Sequence, residues 1–358
     1  MERLKQDFVL KGKEIYVGLE DSKKTWKLCV RSSGNVVKES SMPAQYVTLQ
    51  SFFRNNFPEC KIKVMYEAGF RGFNLYDELQ ADGWSCVVTP PHTITQEKCQ
   101  SQKNDRIDCR RLAKNLETGD YRSCAVPDKQ LREDRQISRR YGQIQGNIIR
   151  VCNRIRRSLE FHGLDSAFTA GAWHSRDYRE LEQKLSTIEM SDSLRYSFNG
   201  FIQEMNYLRG VKKDILKKLR ELAKSERYQK DTNLLKSAPG IGPLTAIRLV
   251  LEWGDVRRFK RKEQFASFLG LIPREYSSGE MEHKGHITKQ GNRWVRSWLI
   301  ESAWIAIKHD PVLLAKFQSV ASRCGSKKKA IVAVAHKLAL RLRALLLTGT
   351  PYQLGVIQ

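Results

Sequence analysis

The stretch YVGLEDSKKTW (16–26) is an apolar run that stops at two adjacent acids, Glu20 and Asp21, which are followed by Lys23 and Lys24. With its flanks, EIYVGLEDSKKTWKLCV, it predicts a strand, a turn and a second strand. A carboxylate at the end of a strand can serve as an oxygen ligand for a hard metal ion. The stretch therefore predicts the start of an α/β domain and one part of a metal site.

Side-chain alternation along the first strand distinguishes the two acids. Gly18 and Glu20 share one face, so Glu20 is in register with a ligand at the strand end, and Gly18 leaves room beside it. A bulge at the strand end would instead turn Asp21 inward. We predict Glu20 as the metal ligand and keep Asp21 as the alternative.

The charge of the chain indicates its partners. Its 358 residues predict two or three domains, since one compact core rarely grows to this size. Lysine and arginine number 63 against 39 acids, which gives a formal charge of +24. Such an excess predicts a polyanionic partner, nucleic acid first, and a basic surface without a partner is the alternative.

Cysteine usage and hydropathy indicate the compartment. The eight cysteines contain no C-x-x-C pair and match no zinc spacing, so they are expected to be reduced thiols. The N-terminus lacks a signal-type apolar core, and no run of about 18 apolar residues is uninterrupted. We expect a cytoplasmic protein, associated with the nucleoid, that does not enter a membrane.

Alternating strand and helix patterns continue through the first third of the chain. IKVMYEA (62–68) and WSCVVTP (84–90) are strand patterns, and the helix pattern between them ends at Gly83. This alternation predicts an α/β domain at 1–127.

The pattern becomes helical after residue 128. Apolar residues at steps of three and four define one helix face from Ile144 to Leu159, and a second helical pattern runs over 176–228 with a break near 191–193. We predict a helical or coiled-coil arm at 128–230, which acts in dimerisation or as a spacer.

A third, mainly helical domain is predicted at 231–358. Near its start, PGIGPLTA fits a helix–hairpin–helix turn, in which Gly240 and Gly242 would let backbone amides approach a DNA phosphate. The same residues would also serve as a plain turn between two helices.

Three more acids join the first strand-end acid in the predicted metal site. Glu67 ends a strand, and Asp105 and Asp108 are three residues apart in KNDRIDCRRLAK. On a helix their Cβ atoms would lie about 5–6 Å apart, and a cation would relieve their repulsion. Carboxylate oxygens suit Mg²⁺ or Mn²⁺, and a pair of such ions supports phosphodiester chemistry.

Basic residues flank the two aspartates and would receive a phosphate backbone. They are Lys103, Arg106, Arg110 and Arg111. The alternative is a solvated helix on which aspartate and arginine pair at i,i+3 or i,i+4.

Seven motifs follow one another along essentially the whole chain: VGLEDSKKTW, YEAGF, KNDRIDCRRLA, PGIGPLTA, LGLIPREYSSG, GHITKQGNRWVR and GSKKKAIVAVAHKLA. In this order and rough spacing they resemble the DEDD-type insertion-sequence transposases, the recombinases that a bridge RNA directs to donor and target DNA.

The resemblance implies an RNase H/RuvC-like N-terminal domain, a coiled-coil arm and a C-terminal transposase domain. It places the family's acids on Glu20, Glu67, Asp105 and Asp108, although the family usually has aspartate at the first position. It also implies that a serine, here Ser278 in PREYSSG, attacks DNA and becomes covalently linked to it. The implied oligomer is a dimer, and a tetramer on DNA, whose assembly completes the active site.

The chemistry of the serine motif alone is less specific. Ser-Ser-Gly is usually a turn, and serine needs a base, a metal or a preorganised site to become a nucleophile. Trp294 and Trp298 could stack on bases but are expected in a helix core. The predicted phosphate contacts in this half are Arg150, Arg154, Lys284, Lys289, Arg293, Lys327, Lys328 and Lys329.

Three functions are consistent with these residues. The first is an RNA-guided, Mg²⁺-dependent recombinase with a serine nucleophile, in which base pairing reads sequence and the protein reads shape. The second is a RuvC-like nuclease or resolvase without a covalent step. The third is a nucleic-acid-binding protein whose carboxylates only stabilise the fold.

Overall fold

The computed structural model describes residues 10–91, 105–164, 175–278 and 281–355, and for 175–179, 275–278 and 281–284 it describes the backbone. The chain divides into two compact units, Met1–Val126 and Pro127–Gln358. The N-terminal unit mixes strands and helices, and the remainder is mainly helical, as predicted.

The first unit is built on a five-stranded sheet in the order β3-β2-β1-β4-β5. β1 is antiparallel to β2, β2 is antiparallel to β3, and β1, β4 and β5 are parallel. The elements are β1 Glu14–Glu20, β2 Thr25–Ser32, β3 Asn35–Pro43, α1 Tyr46–Asn56, β4 Lys61–Glu67, α2 Asn74–Ala81, β5 Ser85–Thr89 and α3 Asp105–Thr118.

Helices cover both faces of this sheet. Val17 and Leu19 of β1 pack with Phe53 of α1 and Leu79 of α2. On the opposite face, Met65 of β4 packs against α3. The alternation of side chains along β1 and β4 therefore decides which residues lie beneath α3.

The second unit contains nine helices in the part of the chain that the structure describes, together with a short hairpin and a 3₁₀ turn, Val256–Arg258. The elements are α4 Lys129–Phe161, α5 Ser175–Thr187, α6 Asp192–Lys224, α7 Glu226–Lys236, α8 Pro243–Trp253, α9 Lys262–Leu269, β6 Pro273–Ser278, β7 Met281–Ile287, α10 Arg293–Ala306, α11 Pro311–Cys324 and α12 Lys327–Thr348.

The two long helices α4 and α6 pack side by side along most of their length. Ile155 of α4 and Phe198 of α6 belong to their shared core. Arg154 pairs with Glu204, whereas the earlier Tyr141 lies by the later Lys212, so the helices run antiparallel. The sequence predicted the break before α6, and a second break occurs at Ser225, which ends α6 and precedes α7.

The helical arm is continuous with the core of the C-terminal helices. Leu131 and Tyr141 of α4 and Leu219 of α6 lie in the same buried cluster as residues of α8 and α12. The separation of 128–230 from 231–358 stays a prediction. No described helix has the length and apolar character needed to cross a membrane.

Candidate active site

Two adjacent parallel strands bring the first pair of acids to one edge of the sheet. Leu19 of β1 pairs with Tyr66 of β4, so Glu20 and Glu67 end neighbouring strands. Leu19 and Tyr66 both face α1 and α2. By alternation Glu20 and Glu67 lie on the face that α3 covers.

Gly18 explains how closely α3 approaches this face. A Cβ atom at Gly18 would lie 2.1 Å from the Cys109 carbonyl oxygen and 2.4 Å from the Ala113 amide nitrogen. Cys109 also donates its thiol hydrogen to the Lys27 carbonyl of β2, with an Sγ–O distance of 3.0 Å. We expected Gly18 to leave room beside Glu20, but the backbone of α3 fills this space. Gly18 thereby fixes the position of α3 on the sheet.

The first turn of α3 contributes the second pair of acids. Asp105 and Asp108 lie on the same stripe as the buried Leu112 and Leu116. Burial raises the pKa of the Glu20 carboxyl, and the negative charges of Glu67, Asp105, Asp108 and Asp21 raise it further. The acids from two strands and one helix therefore share one electrostatic environment, and a cation placed there would be stabilised.

Asp21 has a different environment from Glu20. Its Oδ1 accepts a hydrogen bond from Trp26 Nε1 at 2.8 Å and lies 3.2 Å from Arg71 Nε. Trp26 belongs to the core on the α1 and α2 side of the sheet. The Asp21 side chain is 7% exposed, and a metal ion would have to displace its two partners, Trp26 and Arg71. This geometry favours Glu20 as the ligand, which stays a prediction.

The fit of a divalent cation depends on displacing two basic side chains. Lys27 Nζ lies 2.8 Å from Asp105 Oδ2, and Arg111 pairs with Asp108. The second contact is the i,i+3 pair that the alternative interpretation of this helix expects. Among the described residues no three His, Cys, Asp or Glu side chains form a ready metal centre. The donor set consists entirely of carboxylates, and it suits Mg²⁺ or Mn²⁺ once these pairs open.

Two of the basic residues predicted around the acids pair with acidic side chains. Arg110 pairs with Glu39, with an Nη2–Oε2 distance of 2.9 Å, and Arg111 is engaged by Asp108. Arg106 is exposed, and so are Lys23 and Lys24 in the turn after β1. Lys103 lies outside the described residues.

Ser278 is the last residue of β6, whose partner in the hairpin is Met281 of β7. We expected a turn in the Ser-Ser-Gly triplet, but both serines lie in the strand, and Gly279 and Glu280, which lie outside the described residues, connect it to β7. The hairpin itself was not predicted. Its sequence signal is the Ser-Gly dipeptide between two strand-length segments.

The base of the hairpin is fixed by close backbone packing. Thr288 N donates to Ile272 O at 2.9 Å, and Lys289 N donates to Gly270 O at 3.3 Å. A Cβ atom at Gly270 would lie 2.8 Å from the Gly291 nitrogen. The end of the hairpin opposite Ser278 therefore has little freedom to shift.

The other predicted nucleic-acid contacts in the second unit occupy several different sites. Lys289 and Arg293 are exposed, as are Lys327, Lys328 and Lys329 in the first turn of α12, whereas the side chain of Lys284 is not described. On α4, Arg150 donates to Asn147, and Arg154 pairs with Glu204 at 2.7 Å. Each of these residues stays a predicted contact.

Gly240 and Gly242 have different surroundings in the turn between α7 and α8. Gly240 has a φ of +82°, and a Cβ atom there would lie 2.3 Å from the Ser302 carbonyl oxygen. Its lack of a side chain is required by packing against α10. A Cβ atom added at Gly242, which precedes the first turn of α8, would have no neighbour within 4 Å among the described residues. Gly242 is thus the more accessible of the two for a phosphate contact.

Sequence reasoning missed Arg248, which lies in the apolar helix α8 and is 6% exposed. A charged residue within the apolar segment AIRLVLEW was the available signal. The expectation that both tryptophans are core residues holds for Trp298, which packs against the main cluster, but is wrong for Trp294, which is 39% exposed in the first turn of α10.

Two family sequence models match the chain. A DEDD transposase model of the IS110 type, described as "Transposase", matches residues 17–163. A second model, described as "Transposase IS116/IS110/IS902 family", matches residues 232–318. The first match begins within β1 and extends through the arm helix α4, and the second contains the hairpin that carries Ser278.

Individual relatives are similar over most of their length. A protein described as "Putative transposase y4rJ" of Sinorhizobium fredii is 28% identical, over 92% of this chain and 90% of its own. "Transposase for insertion sequence element IS1111A" of Coxiella burnetii is 27% identical over 75% of this chain and 73% of its own. "Transposase for insertion sequence element IS1533" of Leptospira borgpetersenii is 24% identical over 92% of this chain and 95% of its own.

Proposed function

Residues 17–163 and 232–318 match models of IS110-type transposases, so this chain is an enzyme that acts on DNA, and we propose that it cleaves, exchanges and rejoins the strands of an insertion element through a covalent serine intermediate. Ser278 is the proposed nucleophile. The proposed Mg²⁺ or Mn²⁺ site consists of Glu20, Glu67, Asp105 and Asp108. A RuvC-like fold of the first unit belongs to the same proposal.

The observation that supports this function best is that Glu67, Asp105 and Asp108 lie close enough to Glu20 for their charges to raise its pKa. Glu20 and Glu67 end adjacent parallel strands beneath α3. Asp105 and Asp108 occupy the first turn of that helix, on its sheet-facing stripe. RNase H-like nucleases gather carboxylates from strand ends and a helix in this way. The alternative of acids that only stabilise the fold fits Asp21 well but leaves Glu20 unexplained.

The proposed chemistry is a pair of transfers. The Ser278 oxygen forms a bond to phosphorus, one P–O bond of the phosphodiester breaks, and the serine proton leaves while the departing deoxyribose oxygen gains one. A hydroxyl of the exchanged strand then bonds to the same phosphorus and loses its proton, while the P–O bond to Ser278 breaks and the serine oxygen regains a proton. A bound divalent cation would supply Lewis-acid stabilisation of the charge that develops on the phosphate oxygens. Glu20, Glu67, Asp105 and Asp108 would hold and orient that cation.

We further propose that a guide RNA selects donor and target DNA, and that the chain works as a homo-oligomer, a dimer or a tetramer on DNA. The formal charge of +24 supports a large nucleic-acid partner. The antiparallel helices α4 and α6 would act as a coiled-coil dimerisation arm. RNase treatment of the purified protein should abolish selection of its target while Mg²⁺-dependent nicking of preformed branched DNA persists.

Trapping the covalent intermediate tests the function most directly. Suicide DNA and Mg²⁺ should yield an adduct on the peptide that contains EYSSG, and Ser278→Ala should abolish it. Ser277→Ala is the matched control and should retain the adduct. If Ser278→Ala continued to cut, the chain would be a hydrolytic nuclease instead. If Asp105→Ala with Asp108→Ala left cleavage unchanged, the carboxylate site would be wrong.

A further inference from the structure

A cavity of about 510 Å³ lies within the second unit, between helices α4 and α8 and the start of α10. Its walls include Arg248 of α8, Gly142 and Arg150 of α4, and Arg293 and Trp294 of α10. It is distinct from the acids of the first unit and from the hairpin that carries Ser278.

Arg248 is a buried cation with unused hydrogen-bonding capacity. Its guanidinium carbon lies 3.8 Å from the Trp298 ring centroid and 4.8 Å from the Tyr141 ring centroid. Within the described part of the chain its only hydrogen bond runs from Nε to Ser138 Oγ, at 3.4 Å. A guanidinium has five N–H donors in a rigid fork, so its remaining donors are free to bind a ligand in the cavity.

The charges around the cavity favour an anion. Glu252 is the acid in the lining, and Arg139 neutralises it through two hydrogen bonds of 3.1 and 3.2 Å. Arg150 and Arg293 are exposed at the rim. Burial lowers the pKa of Arg248 to about 10, which leaves its side chain charged at neutral pH but poorly solvated. An anion in the cavity would replace the water that this charge lacks.

The floor of the cavity is open because α4 carries glycine there. A Cβ atom at Gly142 would lie 3.7 Å from Arg248 Nη2 and 3.9 Å from Trp294 Cε2, so a larger side chain would fill the space between them. Gly146, one turn later, also lines the cavity. Trp294 is 39% exposed beside the opening, and the Arg293 guanidinium carbon lies 5.0 Å from its ring centroid.

We propose that this cavity binds one phosphate group of a nucleic-acid strand, which Arg248 holds through its free donors, while the adjoining base stacks on Trp294. Arg150 and Arg293 would contact the flanking phosphates. Stacking on an aromatic ring accepts any base, so the site would capture a strand without reading its sequence. The choice of nucleic acid as the partner rests on the proposed function, whereas the anion site rests on Arg248 and its surroundings.

The competing explanation is that Arg248 only stabilises the core through cation–π contacts with two aromatic rings. That role needs the guanidinium but not the empty space in front of it. Filling that space is therefore the discriminating change. Gly142→Leu closes the cavity from α4, and Gly200→Leu is the matched control, because Gly200 is also a helical glycine and has no described neighbour within 4 Å of an added Cβ atom.

The test measures binding of single-stranded oligo-dT and oligo-U of equal length to the full chain by fluorescence anisotropy, across a range of salt concentrations. Gly142→Leu should weaken binding of at least one strand about tenfold and reduce the slope of log Kd against log salt by about one. Gly200→Leu should match the wild-type protein. The strand that loses affinity, DNA, RNA or both, identifies the source of the phosphate. Unchanged affinity and slope for both strands would overturn the proposal.

A second variant avoids any dependence on the folding of Gly142→Leu. Trp294→Ala removes an exposed ring and should weaken the same strand about tenfold with an unchanged melting temperature. Equal binding by Trp294→Ala and the wild-type protein would contradict the stacking part of the proposal. Adduct formation at Ser278 is measured separately. Unchanged binding by the cavity variants would refute the cavity proposal but not the proposed recombination, and a missing adduct would refute the serine step but not the binding results.

Discussion

Trp26 donates its indole N–H to Asp21 with an Nε1–Oδ1 distance of 2.8 Å, and this bond holds Asp21 on the side of the sheet away from α3. Arg71 completes the arrangement, because its guanidinium contacts the Asp21 carboxylate and also lies 5.4 Å from the Trp26 ring centre. Asp21 therefore stabilises the β1–β2 turn, and Glu20 is the acid that we propose as a metal ligand.

We predict opposite effects for isosteric changes at these two positions. Glu20→Gln should abolish Mg²⁺-dependent strand cleavage without lowering stability, since it removes a charge from a crowded acidic cluster. Asp21→Asn should retain cleavage but destabilise the first unit by about 1–3 kcal/mol, because Arg71 loses its charged partner. Gel-based cleavage and urea unfolding measure the two effects. Cleavage by Glu20→Gln but not by Asp21→Asn would place Asp21 in the site.

Gly18→Ala should displace α3 from the sheet. The added Cβ atom would meet the backbone of Cys109 and Ala113, which cannot move without the whole helix, and overpacking of this kind costs about 1–3 kcal/mol. Cleavage should fall as well, because Asp105 and Asp108 move with the helix. Thermal unfolding and cleavage are the measurements. Gly69→Ala is the control, since the Glu67 carbonyl oxygen, at 3.8 Å, is the one described atom that its Cβ would meet.

Lys27→Met should strengthen Mg²⁺ binding. The Lys27 ammonium lies 2.8 Å from Asp105 and competes with a divalent cation for this carboxylate. The pair is largely exposed, and such pairs contribute about 0.2–1 kcal/mol, so calorimetric titration should show a gain in affinity of at most about fivefold. Lys63→Met opens a similar pair with Glu14 and should leave the affinity unchanged. Equal or weaker binding by Lys27→Met would argue against Asp105 as a ligand.

The sequence was sufficient for features that depend on local periodicity. Alternation along β1 placed Glu20 and Asp21 on opposite faces, and the three-residue spacing placed Asp105 with Asp108. Features with a weak local pattern, and features that depend on partners far apart in sequence, were missed. Strand β3 is an edge strand with few buried residues, so its pattern is weak. The helix packed against Gly18 and the cavity in front of Arg248 involve segments far apart in sequence.

Arg341→Met should strongly destabilise the second unit. Arg341 and Asp310 are 3% and 1% exposed, and the Nη1–Oδ2 distance between them is 2.7 Å. Removing the cation leaves Asp310 buried with only neutral donors, which costs about 3–5 kcal/mol in urea unfolding. Arg257→Met is the control, because its pair with Asp255 is exposed and contributes at most about 1 kcal/mol. A small effect at Arg341 would mean that Tyr352 and the backbone donors suffice for Asp310.

His336 should make the second unit less stable in mild acid. Burial lowers the pKa of this imidazole, and the nearby Lys316 and Lys337 lower it further. Above about pH 6.5 the imidazole is neutral in both the folded and the unfolded chain and has no effect. As the pH falls below that value the unfolded chain takes up the proton first, so stability decreases until the folded pKa is reached.

His336→Gln removes this titration, because glutamine stays neutral. Between pH 8 and pH 5 the wild-type protein should lose more unfolding free energy than His336→Gln, by about 1.4 kcal/mol for each unit by which the folded pKa is lowered. Urea unfolding at a series of pH values gives both curves, and the difference between them isolates His336 from the carboxylates that titrate in the same range. Parallel curves would show that charging this imidazole costs the folded protein nothing, and a difference of opposite sign would mean that His336 is protonated and paired in the folded protein.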